Sequence, residues 1–179
     1  MQPRHADLAD YIRRKTLRRG AYHLVSGRTS NYYLDGKMAS FDGEGLSLIV
    51  QAIIAELEGI ASSAIGGMDI GATPIVAGVA LRMEQLKKPY PAFVVRKSCE
   101  KIEGPIPPAP CNVVVVDDVV TSGGSILQAI DALEAAGYRV VLAIGVVDRD
   151  AGGREALGAR AIPYQPLVTL SDLGLKNED

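Results

Sequence analysis

Asn112-Val-Val-Val-Val-Asp-Asp-Val-Val-Thr-Ser-Gly-Gly-Ser-Ile126 is the stretch from which the rest of the chain is read. Its four consecutive valines, Val113 to Val116, suit a strand buried on both faces, as in the middle of a parallel sheet. Asp117 and Asp118 come at the carboxyl end of that strand, the edge where ligands bind in open α/β sheets. Thr121, Ser122, Gly123, Gly124 and Ser125 are small enough to lie close to a ligand, and Ile126, Leu127, Ile130 and Leu133 then mark a helix. A helix start offers uncommitted N–H groups and the positive end of its dipole, which together suit a phosphate. No Gly-Lys-Ser/Thr follows the glycines, so this is not a Walker loop.

Outward from that stretch, strands and helices alternate. Pro91 to Val95 reads as a strand ending in Arg96-Lys97, and two fixed cations at a strand's carboxyl end suit polyphosphate. Ser62 to Gly66 reads as a shorter strand. The loop Gly66 to Ala72 then opens onto a helix over Pro74 to Leu86, a second backbone arrangement suited to an anion. Arg139 to Val147 is a further strand, followed by Asp148-Arg149-Asp150-Ala-Gly-Gly153. The last strand runs around Tyr164 to Leu170, with Thr169 to Asp172 patterned as a helix cap. Toward the amino terminus, the spacing predicts a helix over Gly45 to Leu57 and another from Ala6 to Arg19, ended by Gly20. Ala21 to Val25 and the segment Ser26 to Lys37 read as two strands of a hairpin. Pro105 to Pro110 is a proline-rich connection, and Lys176 to Asp179 a polar tail expected to fray.

A chain of 179 residues suits one domain with a full core, and 47% hydrophobic with 22% charged residues is a soluble globular composition. A net charge of −2 gives no reason to expect nucleic acid or an acidic membrane surface as partner. Cys99 and Cys111 form neither a metal-like spacing nor a disulfide framework, so a reducing cytoplasm is expected. No apolar run is long enough to span a bilayer. His5 and His23 lie away from these candidate site motifs and read as structural or exposed.

Asp117 to Ser125 resembles the phosphoribosyl-pyrophosphate (PRPP) motif of type I phosphoribosyltransferases: hydrophobic strand, two acids, then a Thr/Ser/Gly loop. Ser26-Gly-Arg-Thr-Ser-Asn-Tyr-Tyr33 resembles one family among them, the orotate phosphoribosyltransferases, where it lies in an amino-terminal hood over the base site. Arg96-Lys97, Ile102-Glu-Gly-Pro105, Asp148-Arg149 before Gly152-Gly153, and Val168 to Leu173 match that family too. The resemblance runs from Tyr22 to Asp172. It implies the type I phosphoribosyltransferase fold, an α/β domain with a mostly parallel central sheet flanked by helices. Residues 1–40 contribute the hood.

The resemblance also implies an activity and a site. Ribose 5-phosphate would pass from PRPP to orotate N1, giving orotidine 5′-phosphate and pyrophosphate, a step of pyrimidine biosynthesis. Asp117, Asp118, Lys97 and Lys101 would be catalytic. PRPP would be held by Arg96, Lys97, Asp117, Asp118, Val119, Val120, Thr121, Ser122, Gly123, Gly124 and Ser125, with Asp69 and Ile70 in the loop facing its pyrophosphate. Orotate would meet Thr121, Arg149, Tyr33 and Leu34. Mg²⁺ would be carried mainly by PRPP oxygens, with no residue assigned as a dedicated metal ligand. The active site would be shared across a cytoplasmic homodimer.

Three departures accompany these matches. Val25 stands where the family usually has Lys, Asp69-Ile70 where bacterial members often have Tyr-Lys, and only Ser98 to Lys101 lies between Lys97 and Ile102. That last segment lacks the family's His and is several residues shorter than its mobile catalytic loop. A transferase for another base and a PRPP-binding regulator without catalysis therefore stand beside the orotate reading. Pyrophosphate release with different bases separates the three.

Overall fold

A computed structural model describes residues 3–23 and 29–176. The elements run α1 (Ala6–Lys15), β1 (Leu17–His23), β2 (Thr29–Leu34), α2 (Lys37–Ser40), α3 (Gly43–Leu57), β3 (Ala64–Met68), α4 (Thr73–Gln85), β4 (Ala92–Val95), β5 (Ile102–Glu103), β6 (Asn112–Val120), α5 (Gly124–Ala135), β7 (Arg139–Asp148), α6 (Gly153–Ala159) and β8 (Tyr164–Thr169). Strands β5-β4-β3-β6-β7-β8 form one sheet, parallel except for the short edge strand β5. The sheet is thus mostly parallel and flanked by helices, and β1 and β2 form a separate antiparallel hairpin.

The valine run occupies the sheet's centre because both of its faces are covered. Val114 and Val116 pack with Ile49, Ile53, Ile75 and Val79 of α3 and α4, whereas Val113 and Val115 pack with Ile126, Ala129, Ile130 and Leu133 of α5. Period-two alternation in a strand with helices above and below makes every position apolar. Parallel pairing brings the ends of β4, β3, β6, β7 and β8 to one edge, where the polar residues of the motif collect.

Four expectations change at the ends of elements. The first helix stops at Lys15, and Leu17, Arg18 and Arg19 pair as strand residues with Leu34, Tyr33 and Tyr32. Leu17 falls off the helical stripe of Leu8 and Ile12, while both the Thr16 N–H and its hydroxyl return to the Ile12 carbonyl and close the helix. Gly20 lies inside the hairpin, where the pairing register shifts between Arg19 and Tyr22. Strand β3 runs on through Gly67 and Met68, which were expected in the loop, and it needs its glycines, because a Cβ at Gly66 would collide with the Phe93 ring and one at Gly67 with the Val116 carbonyl. Strand β6 continues past the acids to Val120. Thr169 and Asp172 exchange the reciprocal bonds of a cap, 2.9 and 3.3 Å, yet only turns follow among the described residues.

Three short elements carry too little periodicity to be read from the chain: α2, β5 and α6. Helix α3 shows ordinary capping, its start held by the Asp42 carboxylate accepting from the Glu44 and Gly45 N–H groups. The same carboxylate accepts from the Tyr11 hydroxyl at 2.8 Å and so ties α1 to α3. Val25 and residues 26–28 of the hairpin motif, together with residues 177–179 of the tail, lie outside the described residues.

Candidate functional site

Asp117 and Asp118 are only 8% and 9% exposed, so they are not solvated charges at a strand end. Asp118 is enclosed by backbone. A Cβ at Gly71 would stand 2.5 Å from its Oδ1, and one at Gly36 would stand 2.9 Å from its Oδ2. Glycine at both positions lets the β3–α4 turn and the segment after the hairpin close on the carboxylate. Lys37 then places its ammonium 3.8 Å from Asp118 Oδ2 and 3.7 Å from Asp35 Oδ1. Burial first, and the Asp118 charge second, push the Asp117 carboxyl up to about 7.

The loop after the acids is equally specific. Gly123 takes a left-handed conformation, φ 81°, and no side chain caps α5 behind it. The first helical bond is Leu127 N–H to the Gly123 carbonyl, so the N–H groups of Gly124, Ser125 and Ile126 face out of the helix end. Thr121, Ser122 and Gly124 are exposed around them. Asp42 caps α3 with its side chain, but α5 presents its dipole bare, as an anion site requires.

At the next strand end, the Arg149 N–H donates to the Val120 carbonyl at 2.9 Å, and the Asp150 N–H to Asp148 Oδ1 at 2.9 Å. These two bonds hold the Arg149 backbone against the loop. Its guanidinium carbon sits 5.2 Å from the centroid of the Tyr32 ring. Arg149 Nε, Asp148 Oδ2 and the Tyr164 hydroxyl are each buried, and burial followed by the charge of the neighbouring Asp148 raises the Tyr164 phenol far above its ordinary range. Arg154 approaches Asp148 Oδ2 at 4.0 Å.

On the other flank, Asp69 follows β3 and Arg96 follows β4. Arg96 Nε lies 3.3 Å from Asp69 Oδ2, and the Lys97 N–H donates to Asp69 Oδ1 at 2.7 Å. The short segment from Arg96 to Lys101 is a tight turn. The Arg96 N–H bonds the Lys101 carbonyl, the Glu100 N–H bonds the Arg96 carbonyl, and Gln128 of α5 donates to Glu100 at 2.9 Å. Arg96, Lys97 and Lys101 are all exposed, and Lys101 lies 3.3 Å from Glu103. Ile70, 59% exposed, projects from the same edge.

Chain alignment with known proteins gives this edge its context. Residues 83–158 match the model of the phosphoribosyl transferase domain. An orotate phosphoribosyltransferase of Rhodopirellula baltica is 36% identical over 183 residues, covering 96% of this chain and 94% of the relative. The chain belongs to the orotate phosphoribosyltransferase family. An orotate phosphoribosyltransferase of Nostoc is 35% identical, across 93% of this chain and 83% of that one. The Mycobacterium tuberculosis orotate phosphoribosyltransferase, solved in complex with PRPP, superposes with a TM-score of 0.84 at 35% identity, over 97% of this chain and 100% of that chain. The fold is accordingly that of the type I phosphoribosyltransferases, with phosphoribosyltransferase activity as the family's chemistry.

In this orotate phosphoribosyltransferase, alternation along β2 sets the two residues expected at the base apart. Leu34 packs into the core at 6% exposure, and Tyr33 turns outward, 5.5 Å from the Tyr22 ring. The ring that meets Arg149 is Tyr32, 3% exposed. Val120 is also buried, its side chain set against Gly145 and Gly153, and it contributes its carbonyl. Sequence reading gave Gly36, Gly71 and Tyr164 no part in the site and left Tyr32, Lys37 and Asp148 without a defined role. Their places depend on contacts between distant segments.

Proposed function

We propose that this chain transfers ribose 5-phosphate from PRPP to N1 of orotate, releasing pyrophosphate and orotidine 5′-phosphate. The uncapped start of α5, shortly beyond a buried acid pair, carries this reading, because it joins a helix end suited to phosphate to two carboxylates at the end of the preceding strand. Backbone N–H groups of Gly124 to Ile126, with the Thr121, Ser122 and Ser125 hydroxyls, receive the 5′-phosphate. Asp117 and Asp118 take the ribose hydroxyls and favour the positive charge that grows on the sugar as the glycosidic bond breaks. No covalent nucleophile is required, so catalysis consists of placing two reactants and stabilising the departing anion.

Arg96 and Lys97, with Lys101, receive the pyrophosphate at the neighbouring strand ends. Arg149 pairs with the orotate carboxylate, a task that suits a guanidinium fork already steadied by Tyr32. Among the described residues, no three His, Cys, Asp or Glu side chains converge as a metal cage. The donors that are present, Asp117 and Asp118, fit a Mg²⁺ ion that arrives on PRPP oxygens, where it would neutralise the leaving pyrophosphate. The family resemblance supports a homodimer in which the exposed Arg96–Lys101 turn serves the partner's site. It likewise supports one catalytic domain whose hood is the hairpin segment. Among the described residues no helix is long and apolar enough to cross a membrane.

A coupled pyrophosphate-release assay with PRPP, Mg²⁺ and each of orotate, uracil, adenine and hypoxanthine tests this function. Release with orotate alone is expected. A preference for another base, or binding of PRPP with no release for any base, overturns it.

A further inference from the structure

Each cation of the turn after β4 that forms an ion pair is matched by a carboxylate of the chain itself. Arg96 faces Asp69 at 3.3 Å and Glu103 at 3.8 Å, and Glu103 also faces Lys101 at 3.3 Å. Asp69 does more than pair with a side chain. Its second oxygen accepts the Lys97 N–H at 2.7 Å, so one carboxylate spans a guanidinium and a backbone amide. Two oxygens on a compact anion, one on Arg96 and one on an N–H at a strand end, is the contact pattern a phosphate group makes. All partners remain open to exchange, since the Arg96 and Asp69 side chains are 50% and 28% exposed.

We infer that Asp69 is an internal stand-in for pyrophosphate, which the diphosphate of PRPP must displace from Arg96 and Lys97, so that this carboxylate sets how weakly PRPP binds and how readily pyrophosphate leaves. This rests on the function proposed above. Its physical basis is that the diphosphate and the carboxylate compete for the same donors. The energy of the Arg96–Asp69 pair is therefore subtracted from PRPP binding. Product release gains by the same exchange. As pyrophosphate departs, Asp69 returns to Arg96 and keeps the cation from being left bare. Glu103 acts in the same sense, more weakly, because it lies farther from Arg96 and is shared with Lys101.

Asp69→Asn isolates the charge, because the Asn carbonyl oxygen still accepts the Lys97 N–H while the attraction to Arg96 is lost. Calorimetric titration of wild type, D69N and E103Q with Mg²⁺-PRPP, Mg²⁺-pyrophosphate and ribose 5-phosphate reads the outcome. D69N is expected to tighten PRPP and pyrophosphate by about two- to five-fold, the range an exposed ion pair supports, and to leave ribose 5-phosphate unchanged. E103Q is expected to move the same two ligands in the same direction by less. Weaker or equal PRPP and pyrophosphate binding in D69N shows that Asp69 positions the turn rather than competing, and overturns the inference. Equal tightening of all three ligands makes the effect a general change of field, and also overturns it. A wild-type chain that binds ribose 5-phosphate but not PRPP instead overturns the function proposed above, and this inference with it.

Discussion

Arg149 stacks over Tyr32 with 5.2 Å between the guanidinium carbon and the ring centroid, joining the end of β7 to the second strand of the hairpin. Among the described residues the hairpin strands pair with each other and not with the main sheet, so this contact, the packing of Leu34 in the core and the closure of Gly36 on Asp118 and Val119 help seat it over the sheet edge. Fixing the cation in advance removes ordering cost from base binding.

Loss of the Tyr32 ring is therefore expected to appear in the base and not in the sugar phosphate. Tyr32→Leu raises the orotate KM by about three- to thirty-fold, the span of a cation–π contact from exposed to desolvated, with the PRPP KM little changed. Tyr32→Phe keeps the ring and raises the orotate KM less than Tyr32→Leu does. Arg149→Ala raises the orotate KM further. Initial-rate kinetics with each substrate varied in turn give the comparison, and equal effects on both substrates remove the pair from the base site.

Removing the acids is expected to stop the reaction without unfolding the chain. Asp117→Asn with Asp118→Asn keeps shape and hydrogen-bonding capacity while deleting the charge that faces the sugar. Turnover falls by about two to four orders of magnitude, as for groups that act on transition-state charge, and circular dichroism stays native. Near-normal turnover places the acids outside the chemistry.

The buried position of Asp117 also makes stability depend on pH. Its carboxyl is raised to about 7 in the folded chain, from an ordinary value of 3.8, so the folded state holds the proton more tightly than the unfolded one. Stability from this group is fully present below about pH 4 and is lost as pH rises through about 7. Asp117→Asn, which cannot ionise, is expected to melt higher than wild type at pH 8, with the gap closing toward pH 4. A gap that is constant across melting curves between these values contradicts the shift.

Gly71→Ala tests the enclosure of Asp118 from the side of the β3–α4 turn. The added Cβ would stand 2.5 Å from Asp118 Oδ1, so the carboxylate must move. A displacement approaching 1 Å costs roughly a hundredfold in kcat/KM when the moved group positions a reactant. Thermal melting is expected to change far less than activity. Unchanged kinetics would show that Asp118 has no exacting position to keep.

The strand, loop and helix start proposed to cradle phosphate were legible in the chain itself. A run of four valines demands two covered faces, and acids followed by Thr121 to Ser125 and a helical stripe leave few alternatives to a strand, a loop and a helix start. Arg149 and Arg96 were legible as cations at strand ends for the same reason. Local spacing determined these because each depends on neighbours within a turn or a strand. It misplaced Leu17, and the cause is a partner far along the chain. Pairing with Leu34 makes Leu17 a strand residue, and the contact of Tyr32 with Arg149 follows from which face of β2 packs inward. Only the tertiary structure decided that Gly36 and Gly71 close on Asp118, that Lys37 joins it, and that Asp69 spans Arg96 and Lys97. Those contacts join segments tens of residues apart, and sequence spacing carries no record of which side chains a folded sheet edge will bring within 4 Å of one another.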